Sequence, residues 1–146
     1  FCIGVAGYPE KHFESPNIET DILYLKEKVK AGANYIITQM FFDNKKYFNF
    51  VEKCRKVGIK VPIIPGIKPI SSKYQLNTLP YNFYIKIPEE LIQEIKKSKN
   101  EQSVYKVGIE WAIKQSKELI NNGVKIIHYY TMGKHDNIYC ILKEIY

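Results

Sequence analysis

The sequence predicts an α/β fold built on a parallel sheet. Short β-branched and aromatic segments alternate with longer segments of helical periodicity, in the order strand, helix, strand, helix, strand, several helices, strand, helix. This alternation is typical of parallel strands that are joined by right-handed crossover helices. The chain has 146 residues, of which 45% are hydrophobic, and this is enough to bury the core of one domain.

Four segments have the composition of strands. The clearest is residues 35–40, a short β-branched and aromatic run that is typical of a buried strand. The prolines of residues 61–67 suit the ends of a strand. The predicted strands cover residues 1–6, 35–40, 61–67 and 124–131.

The first helix is predicted from Asn17, a good N-cap, to about Ala31, because apolar residues recur between them at helical spacing. On the same helix Asp21, Tyr24 and Lys28 are spaced i, i+3 and i+7, so they share one stripe. The spacing by itself favours a solvated face for this stripe.

The later helices are marked by capping and stop residues. Asn44 is predicted to cap the second helix, which Gly58 ends. Ser71 or Ser72 is predicted to cap a short helix, and Pro80 is predicted to end it. The remaining predicted helices cover residues 87–97, 101–121 and 135–146.

Four strands are compatible with a small open sheet or with half of an eight-stranded β/α barrel, whose usual size is about 250 residues. The first residues are already strand-like, with no initiator Met and no polar lead-in before Phe1. This favours a half-barrel, and we expect the remaining strands to lie upstream of Phe1.

Composition disfavours several classes of protein. The net charge is +7, but Arg55 is the only arginine, and the lysines lie on predicted solvent faces among glutamates, so we expect no nucleic-acid partner. No apolar run has the length of a membrane span. Cys2, Cys54 and Cys140 are scattered without metal-ligand spacing, which predicts a reducing compartment, the cytoplasm, and no metal site.

Gln39 is the residue-level candidate for ligand binding. It lies near the carboxyl end of the 35–40 strand, where parallel α/β folds bind ligands, and an amide offers one acceptor and two donors to a polar heterocycle. The alternative is that Gln39 only closes the strand and is satisfied by neighbouring backbone. His128 lies in a predicted strand and is interpreted as a core histidine.

Several segments resemble methylenetetrahydrofolate reductases, in that family's order and spacing. They read GYPEKH at 7–12, LKEKVKAGA at 25–33, IITQMFFD at 36–43, IIPGI at 63–67, GIE at 108–110 and HYYT at 128–131. The resemblance implies an eight-stranded β/α barrel that binds FAD, with residues 1–146 as its C-terminal half, strands five to eight. It also implies reduction of 5,10-methylenetetrahydrofolate to 5-methyltetrahydrofolate with a hydride from NADH or NADPH.

The resemblance also implies roles for single residues. Gln39 corresponds to a catalytic glutamine that meets both folate and nicotinamide, and Gln75 and Lys134 correspond to folate-binding positions. Lys134 stands where relatives often carry arginine, and Tyr24 where some carry asparagine. The implied FAD-binding residues are Tyr8, His12, Ser15, Asp21, Tyr24, Lys28 and Tyr130.

Two catalytic groups of the family, a first-strand glutamate and a fourth-strand aspartate, fall in regions that residues 1–146 do not contain. We therefore expect the segment alone to be inactive and the whole protein to be an oxidoreductase and a homo-oligomer. One alternative is a non-catalytic half-barrel remnant that acts as a binding or structural module. Another is a small flavodoxin-like domain, which requires a phosphate-binding loop that Tyr8-Pro-Glu-Lys does not resemble.

Overall fold

The computed structural model describes residues 1–133 and 135–146 and confirms the α/β fold. The strands are β1 (Gly4–Gly7), β2 (Tyr35–Met40), β3 (Ile63–Ile67) and β4 (His128–Tyr129). The helices are α1 (Ile18–Lys30), α2 (Asn44–Lys56), α3 (Gln75–Phe83), α4 (Glu89–Lys97), α5 (Glu101–Asn121) and α6 (Asp136–Ile145).

The four strands form one parallel sheet in the order β1-β2-β3-β4. Each crossover therefore moves the chain one strand in the same direction, and right-handed crossovers then place the connecting helices on one face. A flavodoxin-like sheet reverses direction at its switch point, giving an order such as 2-1-3-4-5. The described strands contain no such reversal, so the flavodoxin-like alternative is disfavoured.

The two faces of the sheet differ in burial. Strand residues on one face, among them Ile36, Ile63 and Ile67, join the main core with residues of α1, α2, α5 and α6. Residues on the other face, such as Ile37 and Ile64, belong to neither core cluster and are half-buried. We call this second face the open face.

A second core lies beyond the carboxyl ends of the strands. Met40 and Phe42 pack there with Leu79 of α3, Leu91 of α4 and Val104 of α5. Helices α3, α4 and α5 therefore cover the chain that leaves β2, and this segment runs between the two apolar clusters.

Several predicted element boundaries were wrong. The first strand begins at Gly4, and β4 is two residues long where residues 124–131 were predicted. Helix α2 is capped by Asp43, whose carboxylate accepts the Lys45 N–H at 2.9 Å, while Asn44 is the first helical residue and is buried. His128 is half-buried and was wrongly interpreted as a core residue.

The prediction for α3 was wrong at both ends. Neither serine caps it; instead the Gln75 side chain accepts the Ser71 N–H at 2.7 Å. The helix continues through Pro80, although an interior proline removes one N–H donor and crowds the carbonyl group one turn earlier. It ends at Tyr84, which has a left-handed φ of 54°.

We predict that Gly108→Ala destabilises the protein, although alanine is the better helix former by about 1 kcal/mol. A Cβ at Gly108 of α5 would lie 1.8 Å from the Ile70 carbonyl oxygen, which belongs to the backbone and cannot rotate away. We expect the free energy of unfolding to fall by about 2–3 kcal/mol in urea denaturation. The exposed α5 substitution Gln102→Ala is the control; a Gly108→Ala protein as stable as wild type would contradict the packing argument.

Candidate functional site

The candidate site lies at the carboxyl edge of the sheet. Tyr8 follows β1 directly, Gln39 lies near the end of β2, Lys68 follows β3 and Tyr130 follows β4. Because all four strands are parallel, their carboxyl ends meet at one edge, where α/β sheets bind their ligands. The predicted residues Tyr8, Gln39 and Tyr130 are therefore brought to one edge.

Asp21 organises the loop between β1 and α1. Its two carboxylate oxygens accept the His12 backbone N–H at 3.0 Å and the Ser15 hydroxyl at 3.1 Å. The Lys11 ammonium donates to carbonyl oxygens of the same loop, at 2.6 Å for that of Ser15. Lys11 itself has a left-handed φ of 81°. The first turns of α1 thus hold the loop, and three predicted residues, His12, Ser15 and Asp21, form one hydrogen-bonded unit.

A row of aromatic rings leads from the strand edge to the surface. The Tyr8 and His12 rings meet edge to face with centroids 4.7 Å apart, and the His12 and Phe13 rings are 4.8 Å apart. Phe13 then stacks on Tyr84 at 4.9 Å. Close by, the Glu10 carboxylate accepts the Lys86 N–H at 3.2 Å. The loop after β1 is therefore docked onto the segment that follows α3.

The pairing of β2 with β3 is irregular where Gln39 lies. The register shifts between Ile37 and Met40, and the Thr38 hydroxyl accepts the Gly66 N–H at 2.9 Å. The Thr38 carbonyl oxygen accepts the Tyr130 hydroxyl at 2.9 Å. Such irregularities re-aim a side chain next to active sites.

Gln39 is half-buried on the open face. Its Oε1 accepts the Met40 backbone N–H at 3.0 Å, and its Nε2 has no hydrogen-bond partner among the described residues. Neighbouring backbone therefore satisfies the oxygen of the Gln39 side-chain amide, as the alternative interpretation predicts, but it does not satisfy the amide nitrogen. Two amide donors remain for a ligand.

The Tyr8 and Tyr130 phenols remain protonated donors. Burial raises the pKa of Tyr8, and the nearby Asp21 carboxylate adds to the rise. Burial also raises the pKa of Tyr130, with a further contribution from the Tyr8 phenol. Because each phenol is influenced by a neighbour, Asp21, Tyr8 and Tyr130 form one electrostatic cluster.

The other predicted residues lie apart from this cluster. Gln75 is half-buried at the start of α3, where its Oε1 is occupied by Ser71. Tyr24 is 60% exposed, and the exposed Lys28 side chain makes no hydrogen bond or ion pair with the described residues. Lys134 lies outside the described residues.

Sequence reasoning missed three residues of the edge: Thr38, Gly66 and Lys68. A Cβ at Gly66 would lie 2.3 Å from the Thr38 carbonyl oxygen and 2.6 Å from the Tyr130 ring, so only glycine fits. A glycine inside a strand pattern is itself a signal of a bulge or a close approach, and it could have led to Gly66. Lys68 carries no such signal, because its burial depends on tertiary packing.

Within residues 1–133 and 135–146 no group of three or more His, Cys, Asp or Glu side chains could hold a metal ion. Among the described helices, none combines the length and apolarity needed to cross a membrane.

Comparison with known proteins gives consistent matches. The family model described as methylenetetrahydrofolate reductase matches residues 1–146. A Caenorhabditis elegans protein named probable methylenetetrahydrofolate reductase (NADPH) is 39% identical over 99% of this chain. An Arabidopsis thaliana protein named methylenetetrahydrofolate reductase (NADH) 1 is 37% identical over 99% of this chain, and 5,10-methylenetetrahydrofolate reductase of Buchnera aphidicola from Schizaphis graminum is 41% identical over 97%.

The chain spans 22% of the length of the C. elegans relative, 26% of the Arabidopsis relative and 49% of the Buchnera relative. A solved structure of an uncharacterised Clostridium thermocellum protein, described as binding two copies of 5-methyl-5,6,7,8-tetrahydrofolic acid, has a TM-score of 0.62 and 19% identity. The match covers 99% of this chain and 52% of that one, and it supports the fold.

We predict that Thr38→Val lowers the free energy of unfolding by about 1–3 kcal/mol, because valine has nearly the same shape but leaves the buried Gly66 N–H without an acceptor. Thr38→Ser keeps the hydroxyl and is the matched control. Urea denaturation of both variants measures the difference. A Thr38→Val protein as stable as wild type would contradict the role of the hydrogen bond, and a larger loss in Thr38→Ser than in Thr38→Val would mean that the methyl group contributes more than the hydroxyl.

Proposed function

The chain belongs to the methylenetetrahydrofolate reductase family, and from this premise we propose that it forms part of a flavoenzyme that reduces 5,10-methylenetetrahydrofolate to 5-methyltetrahydrofolate. The hydride donor is NADH or NADPH, since relatives are named for each. The observation that carries the proposal is Gln39: its free amide donors lie on the open face, beside an irregular strand pairing, at the edge where parallel sheets bind ligands.

The residues of the edge fit a flavin and a folate. The open face offers small and apolar side chains, Ala6 and Ile37, for a planar ring. The amide of Gln39 suits the carbonyl and ring nitrogens of a heterocycle, and Tyr8 offers a phenol donor. FAD, when bound, supplies the hydride chemistry, and the described residues orient and polarise what binds beside it.

The remaining assignments have different supports. Lys28 is proposed to meet a phosphate or ribose oxygen of FAD, since its exposed ammonium has no partner among the described residues. His12, Ser15 and Asp21 are proposed to shape the loop beside the cofactor, because they hold one another in place. Gln75 and Lys134 remain proposed folate contacts, and Tyr24 a proposed cofactor contact.

We further propose that β1 to β4 are strands five to eight of an eight-stranded barrel, and that residues 1–146 are the C-terminal half of the catalytic domain. The sequential strand order and the incompletely covered open face support this, because a barrel interior must be filled from all sides. β1 and β4 each lack one neighbour among the described strands, and a closed barrel removes such edges. We place the enzyme, a homo-oligomer, in the cytoplasm, which the free thiols of Cys2, Cys54 and Cys140 support.

The test of function uses Gln39→Ala in the full-length protein. We expect FAD to stay bound while the half-reaction with folate slows by about 10- to 100-fold, as expected from losing one hydrogen bond worth about 1–3 kcal/mol to a buried polar ring. Rapid-mixing absorbance of the flavin measures this rate. The exposed Gln93→Ala of α4 is the control. Unchanged folate reduction in Gln39→Ala would remove Gln39 from the mechanism, and a wild-type protein that oxidises no NADH or NADPH would favour the non-catalytic half-barrel.

The proposed FAD contact of Lys28 is tested by Lys28→Met in the full-length protein. Removing an exposed ammonium should leave the fold unchanged and speed the release of FAD on dilution, by about tenfold if one charged hydrogen bond is lost. Flavin fluorescence follows the release. Lys30→Met, whose lysine lies on the same helix and pairs with Glu27, is the control. If Lys28→Met releases FAD at the wild-type rate, the stripe of Asp21, Tyr24 and Lys28 is a solvated helix face and not a cofactor contact.

A further inference from the structure

Lys68 differs from every other lysine that the structure describes, because it is only 8% exposed. No carboxylate lies within ion-pair distance of it, and its ammonium makes no hydrogen bond, among residues 1–133 and 135–146. Burial lowers the pKa of Lys68, and no neighbouring negative charge opposes this effect. A buried lysine usually has a counter-charge for its ammonium, and Lys68 has none among the described residues.

The ammonium of Lys68 nevertheless remains open to solvent. Among the described residues, no side-chain nitrogen or oxygen is both fully buried and without a hydrogen-bond partner. Since the Lys68 Nζ has no hydrogen-bond partner, it must keep some contact with water. The buried part of the side chain is therefore its carbon stem. This is the arrangement of a lysine that extends through packed structure to present its charge at an opening.

The backbone fixes the side of the sheet on which Lys68 lies. Lys68 follows β3 and precedes Pro69, and a residue before proline is held in an extended conformation. The alternation of β3 therefore continues through Lys68: Ile67 faces the main core, and Lys68 lies on the side of Gly66. The Tyr130 ring lies over Gly66, on the open face that also carries Gln39.

We propose that Lys68 is a ligand-binding residue whose ammonium holds an anionic oxygen group of the bound ligand, a carboxylate or a phosphate. The inference rests on the proposed function, which supplies two sources of such a group: the glutamate moiety of the folate and the diphosphate of a dinucleotide. A position at the carboxyl edge, on the same face of the sheet as Gln39, is where a ligand can reach the ammonium. The adjacent Pro69 restricts the backbone before binding, which lowers the entropy cost of the contact.

The experiment uses the full-length protein with Lys68→Met, Lys68→Arg and a control, Lys73→Met. Lys73 is an exposed lysine five residues along the same connection. The measurements are the dissociation constants of 5-methyltetrahydrofolate and of the same compound without its glutamate, the dissociation constant of FAD, and the KM of NADH and NADPH. The thermal stability of each ligand-free variant is measured alongside.

We expect Lys68→Met to weaken one of these ligands by about 10- to 100-fold, as befits a lost charged hydrogen bond. Lys68→Arg should stay within a few-fold of wild type, and Lys73→Met should be unchanged. A loss that appears with the folate but not with the compound lacking glutamate identifies the carboxylate. A loss with FAD, NADH or NADPH identifies the phosphate. Ligand-free Lys68→Met should be at least as stable as wild type, because it removes an unpaired cation.

Two results would overturn the proposal. If ligand-free Lys68→Met is less stable than wild type and Lys68→Arg is not, the anion belongs to another part of the protein. If all ligands bind Lys68→Met with wild-type affinity, the residue only fills space. Both results require a wild-type protein that binds and reduces its substrate. A failure of the proposed function would instead appear in the wild-type protein itself, so the two failures can be distinguished.

Discussion

The arrangement of the carboxyl edge depends on Thr38. Its hydroxyl accepts the Gly66 N–H of β3, and its carbonyl oxygen accepts the Tyr130 hydroxyl from beyond β4. The register of β2 against β3 shifts at the same place, and there the Gln39 amide donors have no partner among the described residues. The Thr38 carbonyl oxygen and the Tyr130 ring also leave no room for a Cβ at Gly66. One local departure from regular pairing therefore joins three strands and exposes the candidate binding group.

The loop after β1 adds a second constraint, which links the two ends of the edge. Asp21 holds the loop through two hydrogen bonds, and Phe13 of the loop stacks on Tyr84. Tyr84 terminates α3, the helix whose first residue is Gln75. The loop that carries the proposed cofactor contacts is therefore in contact with the C-terminal end of the helix that carries a proposed folate contact.

The sequence predicted the parts of the fold that are decided locally. The long helices follow from periodicity, and Asn17 caps α1 as expected, accepting the Thr20 N–H at 2.8 Å. The prediction failed where tertiary contacts override local preference. Gln75, rather than a serine, organises the start of α3, and Pro80 lies inside the helix instead of ending it. The edge residues Thr38 and Lys68 could not be identified, since their roles depend on strands distant in sequence.

The chemistry of the edge explains why its proposed activity needs more than these residues. The free groups that the described residues offer to a ligand are donors and a cation: the Gln39 amide, the Tyr8 phenol and the Lys68 ammonium. The carboxylate of the cluster, Asp21, already accepts two hydrogen bonds from its own loop. Such a set can bind anionic and carbonyl groups, but it contains no free carboxyl group to exchange a proton with a reacting nitrogen. The family resemblance assigns that carboxyl chemistry to strands outside residues 1–146, and the open face is the side from which those strands would close over the site. In the proposed barrel, this half would then supply hydrogen-bond donors and a cation, and the other half would supply the carboxyl groups.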